Sequence, residues 1–335
     1  MVLRSLQSLL KRSWSMTPRP LGHVLLAGAF TPVILGLTSL SALAGDPFRP
    51  NDPHNIGDAS EAAFESFFYE GNYVEAEGLV KAAIAAEPEE PMNYAMAAAL
   101  GYLNDDLSQL ETRAQQTKNA AASLLDTDPL RGHLYSAVGI FLEGAYVLQT
   151  QGIARGTPTA LRMLQQVFRE LEAAESISPD DPELSLLKGF MDLLLAVNLP
   201  FANPDQAIAR LQNGYPAYLS HRGIAVGLRD LERYDEALAE VDKAIEAAPD
   251  NPDLLYLKAQ ILRRIAAYQA SLEMYEAALA YAPQLPDAIV SQIRFEACLT
   301  EGRDSGLCYE ESGLGDGSTH GRASVMAQSY PQGQV

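Results

Sequence analysis

The chain has 335 residues, 47% of them apolar, and a formal charge of -19 from 24 basic against 43 acidic side chains. Such an acidic body argues against nucleic acid and against anionic membrane surfaces as partners, since both repel it. Aliphatic residues are abundant and no run of alternating β-branched residues occurs, which points to an all-α fold.

The first 44 residues read as a secretory signal peptide. Arg4, Lys11, Arg12 and Arg19 lie in a stretch without acids, an apolar run from Leu21 to Leu40 follows, and Ala42-Leu43-Ala44 supplies a cleavage site before Gly45. The competing reading is an uncleaved anchor, since about 20 apolar residues are long enough to span a bilayer. Pro32 and the small residues before Gly45 favour cleavage after Ala44, with no stable membrane insertion afterwards. The chain is therefore expected to be exported, to a periplasm or a thylakoid lumen.

Gly45 to Gly57 holds three prolines without periodicity and reads as an extended lead-in. Helix pairs are expected at about Asp58 to Glu70 with Tyr73 to Glu87, and Pro91 to Leu103 with Leu107 to Leu125. Longer helices, Leu130 to Gln149 and Thr159 to Ile177, are joined by a connector from Gly152 to Pro158. Pro182 to Val197 forms a very apolar helix, and Asn203-Pro204-Asp205 starts a short partner, asparagine at the N-cap being followed by proline at the first helical position. The insert Leu199-Pro200-Phe201 is read as core or as a small apolar patch. Pro286 to Leu299 is a final helix shielding the last apolar face. From 301 to 335 the chain turns to Gly and Ser and is expected to be disordered.

The strongest signal lies between these elements. A shift of 34 residues superimposes Leu228 on Leu262, Tyr234 on Tyr268, Leu238 on Leu272, Ala244 on Ala278 and Pro249 on Pro283. The units 218–251 and 252–285 carry small residues where two helices must touch: Ala225, Ala237 and Ala244, then Ala259, Ser271 and Ala278. Tyr234 and Tyr268 open the second helices, with room to pack their rings on the preceding helix. A third copy, at 57–90, matches Gly71-Asn72-Tyr73-Val74-Glu75-Ala76 to Glu232-Arg233-Tyr234-Asp235-Glu236-Ala237. This register resembles the tetratricopeptide (TPR) repeat, a helix-turn-helix of 34 residues. The expected fold is an all-α, TPR-like α-solenoid over 58–300, about six antiparallel helix pairs plus a C-terminal capping helix. With its leader and acidic body, the chain also resembles secreted cyanobacterial TPR proteins, a group without an assigned biochemical role.

No catalytic or metal motif accompanies the repeats. His23, His54, His133, His221 and His320 are scattered, no Gly-x-Ser-x-Gly elbow occurs, and Gly313 to Gly317 lacks the strand and helix of a phosphate loop. No cofactor is expected. Cys298 and Cys308 are the only cysteines, and in an exported chain an even count favours a disulfide tying the tail to the last helix.

The TPR resemblance implies that unit positions 2, 5, 9 and 12, with 13 nearby, line a concave groove. In the last repeats these positions hold Leu219, Arg222, Val226, Arg229 and Asp230, then Asp253, Tyr256, Gln260, Arg263 and Arg264, then Asp287, Val290 and Arg294, and five of them are arginines in an acidic protein. Arginine forks bind carboxylates bidentately, so the implied ligand is an anionic peptide or acidic segment of a protein partner. The alternative pairs these arginines with acids on neighbouring helices. Lys and Asn at positions 5 and 9 of the chaperone-binding carboxylate clamp are Arg222 and Val226 here, so chaperone-tail binding is not implied. The expected function is a non-enzymatic adaptor binding a partner peptide in the groove. A structural subunit of an envelope complex is the alternative, and a small-molecule binder or enzyme the third.

Overall fold

The computed structural model describes residues 45–198 and 202–314. The expected signal peptide, the insert at 199–201 and the tail from 315 onward lie outside the described residues. Within them there is no strand, and no helix is long and apolar enough to cross a membrane.

The fold is an all-α TPR-like solenoid. α1 (Asp58–Phe64) runs on into a π-helical turn (Glu65–Tyr69) and pairs with α2 (Tyr73–Ala86); α3 (Pro91–Leu103) pairs with α4 (Leu107–Leu124). α5 (Pro129–Ile177) is followed by α6 (Pro182–Asn198) with α7 (Pro204–Leu211), α8 (Ala217–Asp230) with α9 (Tyr234–Ala247), and α10 (Pro252–Arg264) with α11 (Tyr268–Ala280). A 3-10 turn (Ala282–Gln284) leads to α12 (Asp287–Thr300) and α13 (Ser305–Glu311).

The first helix of a pair repeatedly starts with a polar cap followed by proline. Glu90-Pro91 and Asn251-Pro252 do so with the cap side chain accepting from the second residue of the helix, and Asp128-Pro129 with the cap accepting from Arg131 N–H. Proline costs nothing at the first position, where the N–H has no helical partner. Small residues at the pair contacts let the backbones approach. Ala76, Ala83, Ala225, Ala237, Ala244, Ala259, Ser271 and Ala278 all have zero exposure. Ser271 is tolerated at such a site because its hydroxyl donates to the Ala259 carbonyl at 2.7 Å.

The turn inside the pair is also fixed by the register. Gly71, Asp105, Glu232 and Ala266 occupy the same unit position and all adopt a left-handed backbone, with φ between 58° and 63°. Only the first is glycine, so the other three hold a conformation that costs an L-residue about 1–2 kcal/mol.

Three expectations are corrected. The connector 152–158 is not a loop. Gly152 alone breaks the helix, at φ 71° and ψ 170°, and helix resumes at once and runs through Pro158. α5 is thereby a hairpin: His133 on the first arm bonds Glu170 on the second, and a Cβ at Gly156 would stand 3.1 Å from the Val147 carbonyl oxygen. Second, the chain beyond Thr300 is not structureless as far as 314, because α13 forms there, N-capped by Asp304. The Cys298–Cys308 disulfide joins it to α12, and Phe295, Cys298 and Cys308 make a small core of their own. Third, Tyr268 does not bury its ring and is 53% exposed.

The lead-in 45–57 has no helix, yet it is packed. Phe48 and Ile56 are buried, and the Phe48 ring meets Phe64 edge-on at 5.0 Å.

Candidate functional site

The first helices of successive pairs share an inner face, and its chemistry changes along the array. At unit positions 2, 5, 9 and 12, α3 presents Met92, Ala95, Ala99 and Tyr102, and α6 presents Glu183, Leu186, Phe190 and Leu193. With Phe141 of α5 and Leu219, Arg222 and Val226 of α8, these residues line a chamber of about 390 Å³. Its wall is almost wholly apolar, and of the residues that the repeat rule places in the groove, Leu219, Arg222 and Val226 lie in it.

One end of the chamber rests on buried charges. Glu183 lines the chamber, accepts from Arg49 Nη2 at 2.8 Å, and lies 3.7 Å from Arg131 Nε. Arg131 in turn forks onto both oxygens of Glu90, at 2.9 and 2.6 Å, and Arg49 bonds Asp46 and Asp181. Burial alone would lower the Arg131 pKa, but Glu90 and then Glu183 raise it well above the ordinary guanidinium range. Burial pushes the Glu183 carboxyl up, more than Arg49 and Arg131 draw it down. Such a cluster is costly to desolvate and is held by its geometry.

Further along, the same face becomes polar. Arg229 is buried, donates from Nη1 to Gln260 Oε1 at 2.7 Å and from Nε to Asp230 at 3.0 Å. Gln260 donates from Nε2 to Glu296 at 3.1 Å, and Gln292 and Tyr275 donate to the same carboxylate at 2.9 and 3.2 Å. The ladder thus runs across α8, α10 and α12. Arg229 Nη2 is buried without a hydrogen-bond partner among the described residues.

The structure separates the sequence-derived groove residues into three environments. Arg222 sits in the chamber wall, its Nη2 3.8 Å from Asp253. Arg229 and Gln260 belong to the ladder, and Tyr256 is buried with its ring 6.0 Å from that of Tyr275. Arg263 is half-buried, while Arg264 and Arg294 are exposed and outside every ion pair among the described residues.

A contact that the repeat register does not announce closes the array. Asn251 Nδ2 donates to the carbonyls of Phe68 and Tyr69, at 2.9 and 3.0 Å, so the orphan carbonyls at the end of the first helix are satisfied from 182 and 183 residues away. Gly71 is pressed against it, since a Cβ there would stand 3.0 Å from Pro252 Cδ. Tyr73 donates its hydroxyl to Asp253 at 2.5 Å, and the Tyr69 and Tyr218 rings meet at 5.5 Å. Burial pushes the Asp253 carboxyl above its ordinary value, more than Arg222 and Tyr73 pull it down.

His54, His133 and His221 each bond a carboxylate, Asp128, Glu170 and Glu240. Among the described residues no group of three or more His, Cys, Asp or Glu side chains is placed to hold a metal ion.

No family model and no curated protein matches the chain. Its structure is similar to that of a thermophilic TPR protein from Thermus thermophilus, 22% identical, over 62% of this chain and 98% of that one, with a TM-score of 0.43. A tetratricopeptide repeat protein from Parabacteroides merdae is 18% identical over 81% of this chain and 97% of that one, with a TM-score of 0.44. The TPR2AB domain of yeast Sti1, in a pHSP90 complex, is 18% identical over 76% and 97%, with a TM-score of 0.28. Likenesses this distant carry nothing about function. On its own 34-residue register, its left-handed turn position and its helix pairs, the chain is a TPR-like α-solenoid.

Proposed function

We propose that the chain is an exported, non-enzymatic adaptor that holds an acidic segment of a partner protein against the polar half of its inner face, on α8, α10 and α12. The observation that carries this reading is the pair Arg264 and Arg294: exposed, at groove positions, and outside every ion pair among the described residues of a strongly acidic chain. Their neighbours are held in place. Arg229 and Gln260, at groove positions of α8 and α10, are fixed by the ladder to Glu296. Exposed cations without an acid partner are open to a carboxylate of another chain. Export is supported by the leader and agrees with the Cys298–Cys308 disulfide, since such bonds persist in oxidising compartments.

The test is fluorescence anisotropy of a labelled Asp/Glu-rich decapeptide against the purified chain and its Arg264→Glu/Arg294→Glu variant. The double reversal is expected to weaken binding about tenfold, equivalent to about 1.4 kcal/mol, and added salt should weaken the wild-type interaction. Equal binding by both proteins, each folded by circular dichroism, would reject the arginine face. Export is tested by fractionating cells that carry the full chain and sequencing the mature N-terminus, which should begin at Gly45.

A further inference from the structure

We propose that cleavage after Ala44 creates an ion pair between the α-ammonium of Gly45 and the Glu61 carboxylate, and that this pair fastens the lead-in 45–57 to α1. The proposal rests on the reading of the chain as exported, and it makes the processing site a working part of the mature fold.

The contact is already in place. The Gly45 nitrogen donates to Glu61 Oε2 at 3.0 Å, and both residues are half-buried. In the uncleaved chain this donor is a single peptide N–H. Hydrolysis of the Ala44–Gly45 bond gives the oxygen of water to Ala44, which leaves as a carboxylate, and both hydrogens to the Gly45 nitrogen, which becomes an ammonium. That group carries a full charge, and hydrogen bonds between an ionised donor and a carboxylate are roughly twice as strong as neutral ones.

The surroundings reserve Glu61 for this partner. Its carboxylate meets no cation among the described residues and accepts only from Gly45. Asp46, the next residue, is buried and already committed: it accepts from the Phe48 and His54 N–H groups at 2.8 and 3.1 Å and from Arg49 Nη1 at 2.9 Å. Glycine also suits position 45, since a Cβ there would stand 2.7 Å from Glu61 Oε1 and push the carboxylate off the nitrogen.

What the pair fastens reaches into the molecule. The first residues of a domain are poorly ordered unless tied down. Here Phe48 lies in the wall of the apolar pocket, and Arg49 bonds Asp181 and Glu183, the latter in the same wall. Holding Gly45 on α1 thus holds the start of a short run of contacts that ends at the inner face.

The test is urea unfolding of four proteins: the chain 45–335 with a free Gly45, the same chain retaining Ala42-Leu43-Ala44, and Glu61→Gln in each. At pH 6 the substitution is expected to lower the midpoint of the first chain by about 0.3 M, as for a half-exposed ion pair. In the extended chain, whose ammonium stands about 10 Å upstream, the loss should be under about 0.1 M. Pairing raises the folded pKa of the amino group above its unfolded value of about 7.7–8.0. Its stability is therefore fully present below the unfolded value and lost as pH rises through the folded one, so at pH 10.5 the two losses should be equal. Equal losses at pH 6, or a difference that persists at pH 10.5, would overturn the ion pair. N-terminal sequencing of the exported chain separates this failure from that of the underlying reading. A start other than Gly45 would overturn the cleavage position and the pair with it, whereas a Gly45 start with equal losses at pH 6 would overturn the pair and leave export standing.

Discussion

The two halves of the inner face are built on one backbone and do opposite things with it. In α3 and α6 the groove positions hold Met92, Ala95, Ala99, Tyr102, Leu186, Phe190 and Leu193, with Glu183 as the one charged member, and the helices line a half-open apolar pocket. In α10 the groove position holds Gln260, joined by hydrogen bonds to Arg229 of α8 on one side and to the buried Glu296 of α12 on the other. The positions that hold the helices together remain small in both halves: Ala98, Ala225 and Ala259 sit at one unit position, each with zero exposure. Separating scaffold positions from face positions lets an array change what it contacts without changing how it stacks.

The sharpest test of this contrast is to remove one arginine from each half. Arg131→Ala would strip buried Glu90 of the fork that holds both its oxygens and leave Glu183 to Arg49 alone, and is expected to cost about 3–5 kcal/mol. Arg229→Ala leaves Glu296 still bonded by Gln260, Gln292 and Tyr275, and should cost about 1–2 kcal/mol. Urea unfolding of both variants checks the order. Equal costs would mean that the ladder holds the fold together as firmly as the buried cluster does.

A smaller effect is expected where the first repeat meets α10. Asn251→Ala loses the cap of α10 and leaves the Phe68 and Tyr69 carbonyls without their donor, for about 1–3 kcal/mol. Asn72→Ala is the control, since Asn72 caps α2 using only neighbours in sequence. A long-range role for Asn251 is lost if the two variants unfold at the same urea concentration.

The smallest effect concerns pH. Burial raises the folded pKa of Asp253 above its ordinary 3.8, so its proton is held more tightly folded than unfolded. Its contribution is fully present below the unfolded pKa and is lost as pH rises through the raised value. Asp253→Asn keeps an acceptor for Tyr73 and does not titrate, so its stability relative to wild type should grow between pH 4 and pH 7. A difference that does not change with pH would show that Asp253 is not destabilised by its burial.

Much of this architecture was legible in the sequence because scaffold positions obey a period. Proline after a polar cap, small residues at fixed offsets and the 34-residue shift located the helix pairs. The chamber was within reach of the same rule. Applied only from Tyr218 to the last helix, the groove positions brought out arginines; applied also from Pro91 and Pro182, they return the apolar wall. The turns at Asp105, Glu232 and Ala266 were not legible, because only the equivalent Gly71 advertises a left-handed backbone. Gly152 misled in the other direction, since a run with two glycines and a proline reads as a loop when one residue suffices to reverse a helix. The bond from Asn251 to Phe68 and Tyr69 lay beyond any local signal, because an asparagine before a proline announces a helix start and says nothing of what its amide reaches.

That bond alters how the array should come apart. In a linear stack of repeats the terminal units fray independently, and each neighbour melts in turn. Here α1 and α2 are tied through Asn251 and Asp253 to α10, and α13 is tied by its disulfide to α12. Neither edge of the described fold is left to unravel alone. Amide exchange in the first repeat should therefore follow the opening of α10, joining units distant in sequence into one cooperative element.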